Sequence, residues 1–183
     1  HFHISSTQII AVGFLLLILF GTLLLMLPIA TVNGQGASFI DSLFTATTSV
    51  CVTGLVVVDT FSYWSVFGQI VIAILIQCGG LGVVTLTTLI MVIIGKKLTL
   101  KDRMLIQDAY NLNSMAGLVE FIRKVLIGSG IVEGIGALLY MVEFIPRFGL
   151  KGIWISVFNA ISAFCNAGMD IVGPTSFAEY VGN

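Results

Sequence analysis

The sequence predicts an all-α membrane protein built from a repeated unit: a helix, a re-entrant half-helix with its loop, and a second helix. Three observations support this. The composition is 57% hydrophobic and only 9% charged, with a mean hydropathy of +1.09, which no soluble surface would tolerate. No Asp, Glu, Lys or Arg occurs before Asp41, and none lies between Asp59 and Lys96; a membrane-spanning helix needs about 20 such apolar residues. The stretch Ser42–Leu55 also returns later in the chain at a fixed offset, described below.

The first apolar segment, near Ile9 to Ile29, lacks a basic leader and an Ala-x-Ala-like cleavage site, so it reads as a retained spanning helix rather than a signal peptide. Ser5, Ser6 and Thr7 offer its N-cap. His1 and His3 read as end residues, not metal ligands. Thr31 to Ala37, with Asn33, Gly34 and Gly36, carries turn chemistry on the outer side. Ser38-Phe-Ile-Asp41 then matches a helix start and predicts a half-helix to about Thr48. The β-branched run from Val50 to Val58, broken by Gly54, predicts extended backbone. At membrane depth such backbone persists only where protein buries it or it lines a water-filled cavity. Asp59 to Trp64 returns to the outer interface on Phe61, Tyr63 and Trp64.

A second spanning helix is expected from Val66 to Ile94. It contains Gln77-Cys-Gly-Gly-Leu-Gly82, where Gly79, Gly80 and Gly82 either bend the helix or admit a close neighbour, close packing being the preferred reading. Leu98 to Asn113 is charged and amphipathic and reads as an interfacial or cytoplasmic connector. Lys96, Lys97, Lys101, Arg103, Arg123 and Lys124 place this connection on the cytoplasmic side. Gly117 to Ile145 is the third spanning helix, with Glu143, Pro146, Arg147 and Lys151 at its outer turn. Glu133 lies well inside its apolar length. An intramembrane carboxylate is costly, so Glu133 is either functional or held by a structural hydrogen bond or ion pair. Cys51, Cys78 and Cys165 show neither metal-ligand nor disulfide spacing and read as small buried side chains.

At an offset of 114 residues (54 to 168), Ser42 meets Ser156, Phe44 meets Phe158, Ala46 meets Ala160, Cys51 meets Cys165 and Gly54 meets Gly168. The flanks agree in type, including an aromatic exit at Phe177 and Tyr180. Each unit crosses twice and returns to its starting side, so the copies are parallel about an axis along the membrane normal. The boundaries are a first unit over 1–95, a connector over 96–116 and a second unit over 117–183 that stops before its closing helix.

A half-helix entering from outside directs the negative end of its dipole at the membrane centre. The loop after it can present carbonyls that replace the hydration of a monovalent cation. Neither loop has Asp or Glu at its glycine position, which suits K⁺ better than Ca²⁺. Asp170 lies two residues past Gly168, where it could concentrate cations at a pore mouth.

Thr47-Thr-Ser-Val-Cys-Val-Thr-Gly-Leu55 and Ser162-Ala-Phe-Cys-Asn-Ala-Gly-Met-Asp170, taken with Gln77-Cys-Gly-Gly-Leu-Gly82, resemble the Trk/Ktr/HKT superfamily of potassium transporters. The short segment before the first helix is most similar to the Ktr-type membrane (pore) subunit. The resemblance implies four units around one pore, a homodimer with one pore per subunit, and a plasma-membrane, multi-pass location. It also implies a cytoplasmic nucleotide-binding regulatory ring of RCK/KTN type responsive to ATP and ADP. Carried over by position, Cys51, Val52, Thr53 and Gly54 with Cys165, Asn166, Ala167 and Gly168 would supply the K⁺-facing carbonyls of a selectivity filter. K⁺, with a possible role for Na⁺, is then the only metal, and neither a covalent cofactor nor nucleic acid is expected. Two loops cannot surround an ion with four-fold carbonyl layers, so the chain reads as the N-terminal half of a longer one, or several copies assemble.

The function expected is K⁺ uptake without covalent chemistry. An alternating-access carrier with re-entrant hairpins is the alternative within transport, and a non-conducting structural membrane subunit is another. An intramembrane enzyme has little support, since no Ser or Cys recurs with a His or Asp base.

Overall fold

The described residues of the computed structural model are 6–82, 85, 104 and 118–180, and six α-helices have both ends among them. They are α1 (Ser6–Leu25), α2 (Phe39–Cys51), α3 (Thr60–Tyr63), α4 (Val66–Gly80), α5 (Leu118–Phe148) and α6 (Lys151–Phe164), with short 3-10 turns at Pro28–Ala30 and Ser176–Tyr180. These residues contain no strand; Thr31 and Trp64 form a single antiparallel bridge. The protein is all-α, as its composition and apolar run lengths predict.

Ile122–Phe148 of α5 is long and apolar enough to cross a membrane, whereas the apolar helices Ile10–Leu25 and Val66–Gly80 are shorter. One flank of α5 exposes Ile127, Ile131, Ile135, Leu138 and Val142, a spacing that aligns them along one side of a helix. Exposed apolar residues at this density suit hydrocarbon or a further protein layer. The first helix is already helical at Ser6 and stops at Leu25. Pro28 opens the 3-10 turn that follows, because proline lacks the N–H needed to continue the helix from behind.

In the first unit α1, α2 and α4 pack on one another; in the second α5 packs along α6, and α4 touches α6. The end of the first unit where α1 stops and α4 starts is closed by its connections. Val32 N donates to Tyr63 O (3.0 Å) and Ser65 N to Ala30 O (2.9 Å). Trp64, fully buried, fills the space beneath this closure with Leu25, Ile72 and Ile76. A second bond set ties the units together. Trp154 Nε1 of α6 donates to Gln69 Oε1 of α4 (2.9 Å), and Gln69 Nε2 donates to Trp64 O (3.1 Å). In the second unit Phe144 is buried in a stack with Tyr140, ring centroids 5.5 Å apart.

Three expectations are revised. The half-helix extends to Cys51 rather than Thr48, so Val50 and Cys51 are helical and the extended path starts later. The helix from Val66 does not continue unbroken to Ile94: it ends at Gly80, and Gly82 has φ +83°, a left-handed conformation no regular helix contains. Pro146 lies inside α5, and the turn expected there falls at Gly149. Of the expected 98–113 connector, Met104 is helical and exposed, and its other residues lie outside the described ones, as do 86–94, His1, His3 and Ser5.

Candidate functional site: two facing re-entrant loops

The half-helices form where their sequences begin and end them. Ser38 caps α2 by accepting from Asp41 N (3.1 Å) and donating to the Asp41 carboxylate (2.7 Å), a reciprocal arrangement that holds the first turn. At the other end both half-helices stop alike. Val52 and Asn166, which the 114-residue offset pairs, are both left-handed, with φ of 55° and 59°. One residue later Thr53 N bonds Thr48 O (3.0 Å) and Ala167 N bonds Ser162 O (2.7 Å). This reach of five residues satisfies a carbonyl at the helix end. The next residues, Gly54 and Gly168, are left-handed again, at 77° and 67°.

A side-chain hydroxyl then holds each loop. Thr48 Oγ1 accepts from Leu55 N (3.0 Å), and Ser162 Oγ accepts from Met169 N (3.1 Å). Thr48 and Ser162 are also paired by the offset. The repeat is therefore structural: the same donors, acceptors and signs of φ recur although few side chains are shared. Val52 is the strained member, since a β-branched residue in the left-handed region is an outlier costing about 1–3 kcal/mol.

The two loops meet at their glycines. A Cβ on Gly54 would lie 2.6 Å from Ala167 O and 3.4 Å from Gly168 Cα, and one on Gly168 would lie 3.6 Å from Gly54 Cα. Of the eight residues expected to form the filter, the structure thus brings Gly54 against Ala167 and Gly168. Cys51, Thr53, Asn166 and Gly168 are exposed, and Ala167 is buried. The expectation of buried thiols is not met: Cys51, the last residue of α2 where the helix gives way to the loop, is exposed, and Cys78 and Cys165 are half-buried. All three cysteines are unpaired thiols.

Gly79 and Gly80 seat both loops. A Cβ on Gly79 would overlap the carbonyl oxygen of Val50, and a Cβ on Gly80 would lie 2.5 Å from Cys165 Sγ and 2.7 Å from its Cβ. The close-packing reading of these glycines is thus the one their surroundings favour. Gly82 instead marks the break after α4, with Thr85 Oγ1 (3.9 Å) the one atom of the described residues near its would-be Cβ.

Glu133, midway along α5, accepts a hydrogen bond from Gln77 Nε2 (2.7 Å). The other end of that amide, Gln77 Oε1, lies 3.8 Å from Cys165 Sγ, a long contact from a weak S–H donor. Outside the loops, Val56–Thr60, Gly168–Asp170, Gly173, Pro174 and Ser176 line a recess of about 310 Å³. Asp170 borders it with its carboxylate engaged: it accepts from Val172 N (3.1 Å) and Ser176 Oγ (2.6 Å). Asp59 likewise caps α3 by accepting from Ser62 N (2.9 Å).

Sequence reasoning located the glycines and Glu133 but missed Gln77 as the partner of Glu133, and the hydroxyl ties of Thr48 and Ser162. The second was available in principle, since the repeat pairs two hydroxyl residues at that position.

Comparison with known proteins agrees with this architecture. The chain is 44% identical over 177 residues to the potassium/sodium uptake protein NtpJ of Enterococcus hirae, covering 96% of this chain and 39% of that protein. It is 45% identical over 180 residues to the Ktr system potassium uptake protein B of Bacillus subtilis, covering 98% and 40%. The Ktr system potassium uptake protein D of the same organism is 38% identical over 172 residues, covering 93% and 38%. The chain spans about two fifths of the length of these relatives. The family model described as TrkH, cation transport protein, matches residues 4–183, and the chain belongs to that family.

Proposed function

We propose that this chain supplies two of the filter loops of a K⁺ uptake pore. The observation that carries the reading is the shared loop geometry: left-handed residues at 52 and 54 and again at 166 and 168, tied by equivalent bonds and meeting at the glycines. Left-handed residues that alternate with ordinary ones turn successive peptide planes about, so that a short strand offers several carbonyls to one side. Cys51–Gly54 and Cys165–Gly168 then replace the hydration shell of K⁺. The half-helices end at these loops, and the negative ends of their dipoles, each equivalent to roughly half a charge, favour a cation there. No bond is made or broken, and the protein is not an enzyme.

The relatives above are named for potassium uptake, and we extend that activity to this chain. NtpJ, whose name includes sodium, supports a part for Na⁺ in permeation. Completion of the pore requires four loops, so two further units join the two present, in a multi-pass plasma-membrane protein. In this reading 1–95 and 117–183 are successive units and 96–116 faces the cytoplasm. A homodimer and a nucleotide-binding ring beneath it, responsive to ATP and ADP, complete the proposed assembly.

The test is Rb⁺ and K⁺ uptake by the full-length protein in cells lacking other uptake systems, comparing wild type with Gly54→Ser and Gly168→Ser. A side chain at these φ values is strained wherever space allows it, and at Gly54 it also meets the Ala167 carbonyl. Both variants are expected to lose K⁺ over Na⁺ preference, Gly54→Ser the more. Unchanged uptake and preference in folded protein rejects the filter.

A further inference from the structure

The two loops are held differently despite their common geometry. Cys51 is exposed, while its counterpart Cys165 is half-buried against Gly80 and the amide of Gln77. Gln77 in turn is fixed by Glu133, a carboxylate midway along the apolar helix α5 whose neighbours Ile131, Val132 and Ile135 are exposed apolar residues. An acid in that setting is costly unless partnered, and the partner here is a residue whose far end reaches a filter loop.

We propose that Glu133 and Gln77 are positioning residues for the second loop: together they fix where Cys165 begins it, and so help to set its ion preference. This rests on the reading of 165–168 as a filter strand. The geometry supplies the link. A glutamine amide is planar, so orienting Nε2 toward Glu133 also orients Oε1 toward Cys165 Sγ. Gly80, one turn after Gln77, lacks the Cβ that would hold Cys165 away. Without Glu133, the amide is free to rotate, and the start of the loop loses its lateral support. Among the described residues the first loop shows no such tie: the 114-residue offset pairs Glu133 with Leu19, which has no hydrogen-bonding group.

The experiment compares K⁺ over Na⁺ preference, from Rb⁺ uptake with competing ions, in full-length wild type, Glu133→Ala, Glu133→Gln and the double variant Gln77→Leu with Glu133→Leu. Glutamine keeps an acceptor for Gln77 Nε2, so Glu133→Gln should keep the preference within about twofold. Loss of one such bond has a net worth of about 0.5–1.5 kcal/mol, or up to about tenfold, so Glu133→Ala should reduce the preference about three- to tenfold. The double variant leaves no unpaired polar group and should fold even where Glu133→Ala does not; its preference should fall by the same amount. A double variant with wild-type preference overturns the proposal. So does Glu133→Gln behaving like Glu133→Ala, since that would make the charge, not the hydrogen bond, the active feature. Gly168→Ser measured alongside separates the two readings. If it loses the preference while the double variant retains it, the clamp is rejected and the filter stands; if both retain it, both readings fail.

Discussion

Substituting Gly79 by Ala perturbs the seat of the first loop with a single methyl group. That Cβ would overlap the Val50 carbonyl oxygen and lie 2.7 Å from Val50 C and 3.0 Å from its Cα. All three atoms are backbone, so no rotamer change relieves the clash. Ordinary carbon contacts lie at about 3.5–4.0 Å, so α4 and the last turn of α2 must part by about 1 Å. Overpacking of this kind costs about 1–3 kcal/mol, partly offset by up to ~1 kcal/mol from the better helix propensity of Ala. The expected net loss is about 1–2 kcal/mol, felt one residue before Cys51. Two assays read it: the melting temperature of purified full-length protein, expected to fall by several degrees, and K⁺ over Na⁺ preference in uptake, expected to drop. Gly128→Ala is the control, because Gly128 lies within α5 with no atom of the described residues within 4 Å of its would-be Cβ; it should leave stability unchanged or slightly raised. If Gly79→Ala melts at or above the wild-type temperature with preference intact, the close-packing account of this helix end is refuted.

Other substitutions test the remaining parts of the arrangement. Thr48→Val and Ser162→Ala each remove the hydroxyl that accepts a loop N–H. Ser162→Ala leaves the buried Met169 N–H unpaired and should destabilise by about 1–3 kcal/mol. Thr48→Val frees the more exposed Leu55 N–H but also breaks the Thr48–Thr53 hydroxyl bond (2.6 Å) and should cost about 1 kcal/mol; unchanged thermal melts for both variants would refute the hydroxyl ties. Trp154→Phe removes the donor to Gln69 that links α6 to α4. A lower melting temperature is expected, and an unchanged one would show that apolar packing alone joins the units. Gly82→Ala places a Cβ at φ +83° and should cost about 1–2 kcal/mol, whereas Gly82→Asn should cost less because Asn tolerates that region. Equal melts for the two variants would refute the conformational explanation.

Much of the architecture was legible because it depends on short-range pattern. Apolar runs, the Ser38–Asp41 start and the repeated loop are all properties of neighbouring residues, and a chain in lipid must satisfy its backbone within such segments. Errors fell at element ends. The half-helix runs on through Val50 and Cys51 although β-branched residues favour extended backbone, because Val50 is fully buried in the α1–α2–α4 core and helix continuation keeps it there. Val52, another β-branched residue, is forced into a left-handed conformation that no propensity would select, because the loop must turn there just as it does at Asn166.

By itself the sequence determined the membrane class, the repeat, the two glycines and an acid in an apolar helix. Those follow from composition and spacing, which are written along the chain. Tertiary structure decided what each of them touches: Gly54 against the Ala167 carbonyl, Gly79 beneath Val50, Gly80 beside Cys165, and Glu133 bonded to Gln77 across 56 residues of sequence. Such contacts depend on how helices distant in sequence pack side by side, and packing at sub-ångström tolerance leaves no periodic trace in the chain.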